Sequence, residues 1–320
     1  MELLNALLVS PFAEIFGNPY FFMEVLINGL MAGVMYSLVA LGFVLIFKAS
    51  GVFNFSQGVM VLFAALNFVG LMDALSAYMN PVFAIALAGA LTVLIMLGVS
   101  LVIERVVLRP LVNQAHIILF MATIGVAYFL EGLGEMIWGS DVRPLHVGIP
   151  DDVWFIFNEQ VMVQQSDLFA AAVAGGLVLT LALFFHYTRT GRALRAVADD
   201  HAAAMSIGIP LNHIWVIVWG VAGFVALVAG IMWGSKLGVQ FSLSIIALKA
   251  LPVLILGGFT SIPGAIVGGL IIGSGEKIAE VYWGSAFGGA IEEWFAYVLA
   301  LAFLYFRPQG LFGEKIIERV

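Results

Sequence analysis

The chain has 320 residues, of which 62% are hydrophobic and 10% are charged, and its mean hydropathy is +1.09. An ordinary soluble domain has a charged fraction of about 25%, so this composition excludes a soluble domain. It indicates a protein of the lipid bilayer. The chain has no cysteine, which excludes disulfides, thiolate metal sites and cysteine nucleophiles. The net charge of −7 is scattered, and the thirteen Lys and Arg residues form no basic groove for nucleic acid.

The predicted elements begin with an apolar N-terminal stretch. Residues 1–22 carry two glutamates and lack the basic start of a cleaved signal peptide, so we interpret them as an interfacial segment. Apolar windows long enough to cross about 30 Å of hydrocarbon follow, and they predict nine membrane segments, or eight if the short seventh is re-entrant. In chain order the segments cover residues 23–47, 52–78, 82–103, 117–138, 168–187, 214–234, 242–257, 264–283 and 289–306. The predicted fold class is therefore an all-α integral membrane protein, a single polytopic helical bundle with interrupted helices.

The distribution of Lys and Arg predicts the orientation of this bundle. When the segments alternate in direction, nine of these residues fall on one face, whereas the loops of the other face carry only Arg143 and Lys236. By the positive-inside rule the richer face is cytoplasmic, so the N-terminus is outside and the C-terminus is inside. Residues 139–166 then form an external loop, residues 188–213 a cytoplasmic loop and residues 307–320 a cytoplasmic tail.

A polar motif interrupts the apolar sequence where the second segment begins. The stretch KASGVFNFSQGVM places Asn54, Ser56, Gln57 and Gly58 where a plain lipid-facing helix has Leu and Val. One interpretation is a tight turn with helix packing on small residues. The other is a broken helix whose polar side chains line a translocation path, because irregular backbone at membrane depth must face protein or a wet cavity. The sequence leaves both interpretations open.

Glycine is concentrated around the eighth segment, in the stretch LGGFTSIPGAIVGGLIIGSGE. Each glycine in a helix costs about 1 kcal/mol relative to alanine, so this density is expected where backbones approach closely or must bend. Gly264 and Gly268, and likewise Gly269 and Gly273, are four residues apart, which is the spacing of helix packing through small residues. We therefore predict that these four glycines pack against a neighbouring helix.

Charged side chains lie inside or near the ends of the predicted segments. Glu131 and Glu135 share one face of the fourth segment, and Lys249 and Glu276 fall within the seventh and the eighth. An unpaired charge there costs at least about 2.5 kcal/mol, so we expect Lys249 to pair with a glutamate or these charges to reach the interface. A proton relay is the alternative. The spacing of His and carboxylates indicates no metal site, and no GxxxxGK[ST], HExxH or GxSxG motif is present, so we predict no catalytic residue and no cofactor in this chain.

The predicted cytoplasmic loop contains the charge-rich stretch RTGRALRAVADDHAAAMSIGIP. Leu194, Val197 and Met205 follow a helical spacing while the charges fall largely elsewhere, which predicts one amphipathic helix or two short ones, ended by Gly208 and Pro210. This element either lies on lipid head groups or docks into the groove of a partner. The candidate contact residues are Arg189, Arg192, Arg195, Asp199, Asp200, Ala203 and Gly208.

Six motifs, taken in their order and spacing, resemble those of one transporter family. They are VFNFSQG at residues 52–58, ERVVLRPL at 104–111, ATIGVAYFLEGL at 122–133, GRALRAVADDHAAAMSIGI at 191–209, LGGFTSIPGAIVGGLIIG at 256–273 and RPQGLFG at 307–313. On these motifs the chain is similar to permease subunits of the branched-chain (hydrophobic) amino acid class of ABC importers. It resembles the first of the two permease types that such importers pair, and the resemblance covers nearly the whole chain.

The resemblance implies the partners and the activity. Such importers work by alternating access with two permease chains, two ATP-binding subunits and one external binding protein, in the bacterial cytoplasmic (inner) membrane. ATP and Mg²⁺ then bind to the ATP-binding subunits, and this chain has no ATPase site of its own. The loop at residues 188–213 resembles the coupling element that docks on the ATPase. Ala202 stands where the family pattern has a glutamate, with Asp199 and Asp200 close by.

The sequence leaves the substrate and the energy source open. Related permeases carry urea and short amides, and aromatic acids are a further alternative to branched-chain amino acids. A secondary transporter, driven by an ion gradient through Glu131, Glu135, Lys249 or Glu276, is the alternative from a different class. Collapsing the ion gradient is expected to stop such a carrier and to spare an ATP-driven importer.

Overall fold

The computed structural model describes residues 7–111, 114–199 and 201–313, so the candidate residue Asp200 lies outside the described residues. The sequence predicts a single membrane domain, and within it the described chain forms two compact units. Apart from the gaps just given, unit 1 contains residues 7–40, 149–178 and 249–313, and unit 2 contains residues 41–148 and 179–248.

Most of the described residues are helical, as the sequence predicts. In chain order the elements are α1 (Ser10–Gly17), α2 (Pro19–Ser50), α3 (Gln57–Ser76), α4 (Pro81–Val102), α5 (His116–Trp138), β1 (Val153–Ile156), β2 (Val161–Gln164), α6 (Gln165–Tyr187), α7 (Arg189–Asp199), α8 (His201–Ser206), α9 (Leu211–Leu237), α10 (Ser242–Gly257), α11 (Ile262–Phe287) and α12 (Ile291–Phe306). A π-helical turn (Ile103–Leu108) and a 3₁₀ turn (Arg109–Leu111) extend α4.

Seven helical stretches among the described residues are long and apolar enough to cross a membrane, which makes the chain a multi-pass membrane protein. They are Pro19–Ser50, Gln57–Ser76, Pro81–Leu111, Ile117–Trp138, Gln165–Tyr187, His213–Leu237 and Ile262–Phe287. The predicted seventh and ninth segments correspond to α10 and α12, which have sixteen residues each. At 1.5 Å per residue such a helix is about 24 Å long, shorter than the roughly 30 Å of hydrocarbon. The described part of the chain thus has seven helices of spanning length where the hydropathy windows predict eight or nine segments.

A helix boundary divides the N-terminal stretch that the sequence assigns to one interfacial segment. Pro19 is the first residue of α2, and the backbone N–H of Phe21 donates to Oδ1 of Asn18 at 3.2 Å. Asn before Pro is a typical helix start, because Asn caps a free N–H and Pro at the first position has none to satisfy. The first long helix therefore begins four residues before the predicted start at residue 23.

A β-hairpin lies in the predicted external loop, where the all-α prediction has no strand. β1 and β2 pair antiparallel within unit 1. Val161 and Val163 of β2 are buried together with Met31 of α2, and the backbone N–H of Met162 donates to Oε2 of Glu24 at 2.8 Å. Buried and exposed residues alternate along β2, as expected of a half-buried strand. Strands of four residues are too short to register in windows sized for a membrane crossing.

The core of unit 2 is built around α3. From Gln57 to Gly70 every residue of this helix is buried, by contacts with α4, α5 and α9. A helix that is buried on all sides needs no polar face. Glycine permits the closest approach, since a Cβ on Gly230 of α9 would lie 2.7 Å from the carbonyl oxygen of Val61. By contrast, only 22% and 33% of the residues in the spanning windows of α4 and α5 are buried, so these helices present apolar surface to lipid or to another chain.

Candidate functional site

The polar motif between α2 and α3 forms a hydrogen-bonded network within unit 2. The helix is broken here, because α2 ends at Ser50 and α3 begins at Gln57. Asn54, Ser56 and Gln57 are fully buried. The Ser56 hydroxyl donates to Oδ1 of Asn54 at 2.6 Å, and Nδ2 of Asn54 donates to Oε1 of Gln57 at 3.4 Å. Nε2 of Gln57 donates to the carbonyl of Ala222 at 3.4 Å.

This network gives the polar side chains partners inside the protein. The break in the helix agrees with both interpretations of the motif, and the mutual hydrogen bonds are those expected of the tight turn. In this conformation Asn54, Ser56 and Gln57 contact each other and α9. Their role in lining a translocation path stays a prediction.

Gly58 is a packing contact between α3 and the first half of α10 in unit 2. A Cβ on Gly58 would overlap the carbonyl of Ser244 and lie 2.6 Å from the Cβ of Ala247. A backbone approach this close has no room for a side chain. Packing alone therefore explains the presence of glycine at this position.

The four predicted packing glycines of α11 are buried in unit 1, but they use two different faces of the helix. Gly264 and Gly268 lie against the second half of α10. A Cβ on Gly264 would overlap the carbonyl of Gly257, and a Cβ on Gly268 would lie 2.7 Å from the carbonyl oxygen of Val253. The first face of α11 thus packs on its sequence neighbour.

Gly269 and Gly273 lie on the second face of α11, against α2. A Cβ on Gly269 would lie 2.6 Å from the carbonyl oxygen of Gly33, and a Cβ on Gly273 would overlap the backbone of Gly33. In the opposite direction, a Cβ on Gly29 would lie 2.7 Å from the Cα of Ser274. Gly29 and Gly33 are not among the predicted packing residues, although their four-residue spacing in the first segment is the same packing signal.

Lys249 and Glu276 form an ion pair within unit 1. Nζ of Lys249 donates to Oε1 of Glu276 at 2.7 Å, so the lysine pairs with a glutamate, which is one of the two outcomes that the sequence allows. The glutamate is buried, whereas the lysine is partly exposed. Tyr36 of α2 lies near the same carboxylate. Glu131 and Glu135 lie on α5 in unit 2 and take no part in this pair.

A second ion pair lies next to the first. Nζ of Lys277 donates to Oε2 of Glu292 at 2.7 Å, and Nζ of Lys249 also approaches the backbone carbonyl of Glu292 at 3.5 Å. Glu280 accepts hydrogen bonds from the backbone N–H groups of Ala290 and Glu292 at 3.1 and 3.0 Å, so it caps the start of α12. Glu292 is not among the predicted site residues, since no helical spacing relates α12 to α11. No group of three or more His, Asp or Glu that could hold a metal ion occurs within residues 7–111, 114–199 and 201–313.

The predicted cytoplasmic loop of residues 188–213 contains two short helices, α7 and α8, one of the two arrangements that the sequence allows. Leu194 and Val197 are buried on the inner face of α7. Arg195 donates to the carbonyl of Phe185 at 2.8 Å, and Arg192 donates to the carbonyl of Tyr187 at 3.2 Å. These carbonyls belong to the last turn of α6, so the two arginines cap that helix. Two of the candidate contact residues therefore hold α7 in place.

The other candidates of this loop that the structure describes lie on its outer surface. Arg189, Asp199, Ala203 and Gly208 are exposed. Gly208 has a φ of 86°, a left-handed conformation that favours glycine, and its N–H donates to the carbonyl of Met205 at 3.0 Å. This arrangement ends α8 near the position that the sequence predicts.

Replacing Arg195 with glutamate is expected to loosen α7 from α6. A carboxylate at this position faces carbonyl oxygens and the negative end of the α6 dipole, where the guanidinium now donates. Limited proteolysis within residues 188–213 of the membrane-inserted protein is expected to become about tenfold faster. Arg189→Glu, at an exposed position of the same helix, is the matched control and should leave the rate unchanged. Equal cleavage rates for the two variants would contradict the anchoring role of Arg195.

The motif ERVVLRPL contains an ion pair that the sequence does not predict, and this pair lies just after α4 in unit 2. Glu104 is 1% exposed, and its carboxylate accepts three hydrogen bonds of 3.0 to 3.1 Å from the guanidinium of Arg109. The π-helical turn brings the two residues together, because the backbone N–H of Arg109 donates to the carbonyl of Glu104, five residues earlier. The motif therefore has a local structural role.

Residues 25–307 match the family described as branched-chain amino acid transport system / permease component. The high-affinity branched-chain amino acid transport system permease protein BraD of Pseudomonas aeruginosa is 29% identical over 313 residues, which cover 94% of this chain and 99% of BraD. The corresponding protein LivH of Escherichia coli is 28% identical and covers 94% of this chain and 98% of its own length. The ribose import permease protein RbsC of Escherichia coli is 26% identical over 80% of this chain and 78% of RbsC.

Proposed function

The chain belongs to the family of branched-chain amino acid transport permease components, and on that premise we propose that it is the membrane permease subunit of an ATP-driven importer of branched-chain or other hydrophobic amino acids. The observation that carries the proposal is the family match, which runs from the first part of α2 to the end of α12. The relatives BraD and LivH align with this chain over almost their whole length, and they are named as branched-chain amino acid transport permeases.

In this proposal the chain is a passive gate that depends on partners for energy. A second permease chain completes the translocation path, an external binding protein delivers the substrate, and two ATP-binding subunits bind ATP and Mg²⁺. The chain has no nucleotide-binding motif, which supports an external source of energy. The loop of α7 and α8 offers a docking surface for the ATPase, with exposed charges at Arg189 and Asp199 and exposed apolar side chains at Met205 and Ile207.

The proposed topology places the N-terminus outside and the C-terminus inside a bacterial cytoplasmic membrane. The distribution of Lys and Arg supports this orientation. In this arrangement the short helices α10 and α12 complete the bundle as the seventh and ninth membrane segments. Packing on α11, through Gly264 and Gly268 for α10, compensates for their short length by holding them within the protein.

The test is transport by the complex in liposomes. The chain, purified with its partner subunits and reconstituted, is expected to accumulate labelled leucine when ATP and the binding protein are supplied. The chain alone should hydrolyse no ATP and accumulate no leucine. Uptake and phosphate release, measured on the same liposomes, check both expectations.

The same assay separates the alternatives. Competition by valine and isoleucine assigns the path to branched-chain amino acids, whereas competition by urea, short amides or aromatic acids assigns it to those substrates. Uptake that needs a proton or sodium gradient and ignores ATP would show a secondary transporter, and it would contradict the proposal.

A further inference from the structure

Four charged residues of unit 1 form one connected group, which we call the ion cluster: Lys249 of α10, Glu276 and Lys277 of α11, and Glu292 of α12. Lys249 pairs with Glu276 and Lys277 pairs with Glu292, each at 2.7 Å. The contact of 3.5 Å from Nζ of Lys249 to the backbone carbonyl of Glu292 joins the two pairs. Three helices therefore meet at these charges.

The ion cluster lies near the middle of the helices that carry Lys249 and Glu276. Lys249 is about 10 Å along the helix axis from the start of α10 and about 12 Å from its end. Glu276 is about 21 Å from the start of α11 and about 17 Å from its end. Because α11 is one of the seven helices of spanning length, Glu276 falls within the depth of the hydrocarbon.

The ion cluster is buried on one side and open on the other. Only 2% of the Glu276 side chain is exposed, whereas 31% of Lys249, 40% of Lys277 and 35% of Glu292 are exposed. Charges at membrane depth are strongly disfavoured against lipid and lie instead against protein or a water-filled cavity. The open side of the ion cluster is therefore expected to face the translocation path or another protein chain.

The open side presents both signs of charge next to each other. The Lys249 ammonium has three N–H donors, and the contacts with Glu276 and Glu292 use two of them. The Glu292 carboxylate accepts from Lys277 through one oxygen and retains acceptor capacity at the other. A partly exposed lysine side chain beside a partly exposed glutamate side chain is complementary to an amino acid zwitterion, whose own carboxylate and ammonium are equally close together.

We propose that the open side of the ion cluster binds the zwitterionic head group of an amino acid in transit, with Lys249 and Lys277 toward its carboxylate and Glu292 toward its ammonium. This inference rests on the proposed function. The ion cluster is already neutral and internally paired, so a second protein chain is not needed to compensate its charge. A zwitterion adds no net charge to the path. Water replaces the head group at the ion cluster once the substrate has passed.

The test uses the complete reconstituted complex with its binding protein. Lys277→Gln and Glu292→Gln are expected to lower kcat for leucine uptake about tenfold each, because a charged contact to the moving substrate is lost. KM should be unchanged, since the external binding protein sets the capture of the substrate. Glu293→Gln, at an exposed position next to Glu292, is the matched control and should transport like the unaltered complex.

A charge-exchanged variant separates a substrate contact from a structural one. Lys277→Glu combined with Glu292→Lys keeps an ion pair but exchanges its ends. We expect the complex to assemble normally, as measured by size-exclusion chromatography, and uptake to stay about tenfold low. Normal uptake by this variant would overturn the inference and make the ion cluster structural. Loss of assembly in the single variants, restored by the exchange, would also overturn it and show a contact between chains.

The unaltered complex distinguishes this inference from the proposed function. If it imports leucine and every variant of the ion cluster imports leucine equally well, only the inference fails. If the unaltered complex imports urea or a short amide and no amino acid, the proposed function and the inference both fail.

Discussion

Replacing Gly273 with alanine is expected to destabilise the protein, although alanine is the better helix former. The new Cβ would overlap the backbone of Gly33, and a backbone cannot rotate aside as a side chain can. Overpacking of this kind costs roughly 1–3 kcal/mol, which exceeds the gain of about 1 kcal/mol from helix propensity. In a membrane, close packing is a main source of helix association, so the loss falls on the contact between α2 and α11. The apparent midpoint of thermal unfolding in detergent is the measurement.

The matched control for this prediction is Gly176→Ala on α6, also in unit 1. A Cβ on Gly176 would meet nothing within 4 Å, so only the propensity gain is expected there. The unfolding midpoint of Gly176→Ala should equal or exceed that of the unaltered protein. If Gly273→Ala proves as stable as Gly176→Ala, the backbone contact between α2 and α11 is not as close as described.

Hydropathy predicts most of the helices and glycine spacing predicts packing positions on α11, because both signals depend on local sequence. The windows found every helix of spanning length, and the four-residue spacing found the packing glycines of α11. The same spacing could not tell that Gly268 faces α10 while its neighbour Gly269 faces α2. Adjacent residues point in different directions on a helix, and the choice of partner for each is made by the tertiary fold.

Charged residues show the same limit more clearly. The cost of an unpaired charge in the membrane predicts that Lys249 either pairs or reaches the interface, but it does not select among glutamates. The choice of Glu276 depends on the packing of α10 on α11, and the neighbouring Glu292 enters only because α12 folds back along α11. Energetic need is thus predictable from sequence, whereas the identity of the partner is not.

The pair of Glu104 and Arg109 was missed for a different physical reason. Residues five apart on a regular α-helix point about 140° away from each other, so the usual spacing rules do not pair them. The π-helical turn adds one residue to the turn and brings the residue five positions further along the chain over the first. The pairing therefore depends on a local backbone irregularity that hydrophobic periodicity does not reveal.

Replacing Arg109 with methionine is expected to destabilise unit 2 by about 2 kcal/mol, because it leaves the buried carboxylate of Glu104 without its three hydrogen bonds. Because the Arg109 side chain is partly exposed, solvent already screens its interaction with Glu104 in the unaltered protein. The loss of stability is therefore smaller than for a fully buried ion pair. The double variant Glu104→Met with Arg109→Met removes the buried charge as well, so its unfolding midpoint should lie closer to that of the unaltered protein. Arg105→Met, at an exposed position beside Glu104, serves as the control and should leave the midpoint unchanged. A double variant less stable than Arg109→Met alone would show that the glutamate is satisfied by other groups and that the guanidinium is not its principal partner.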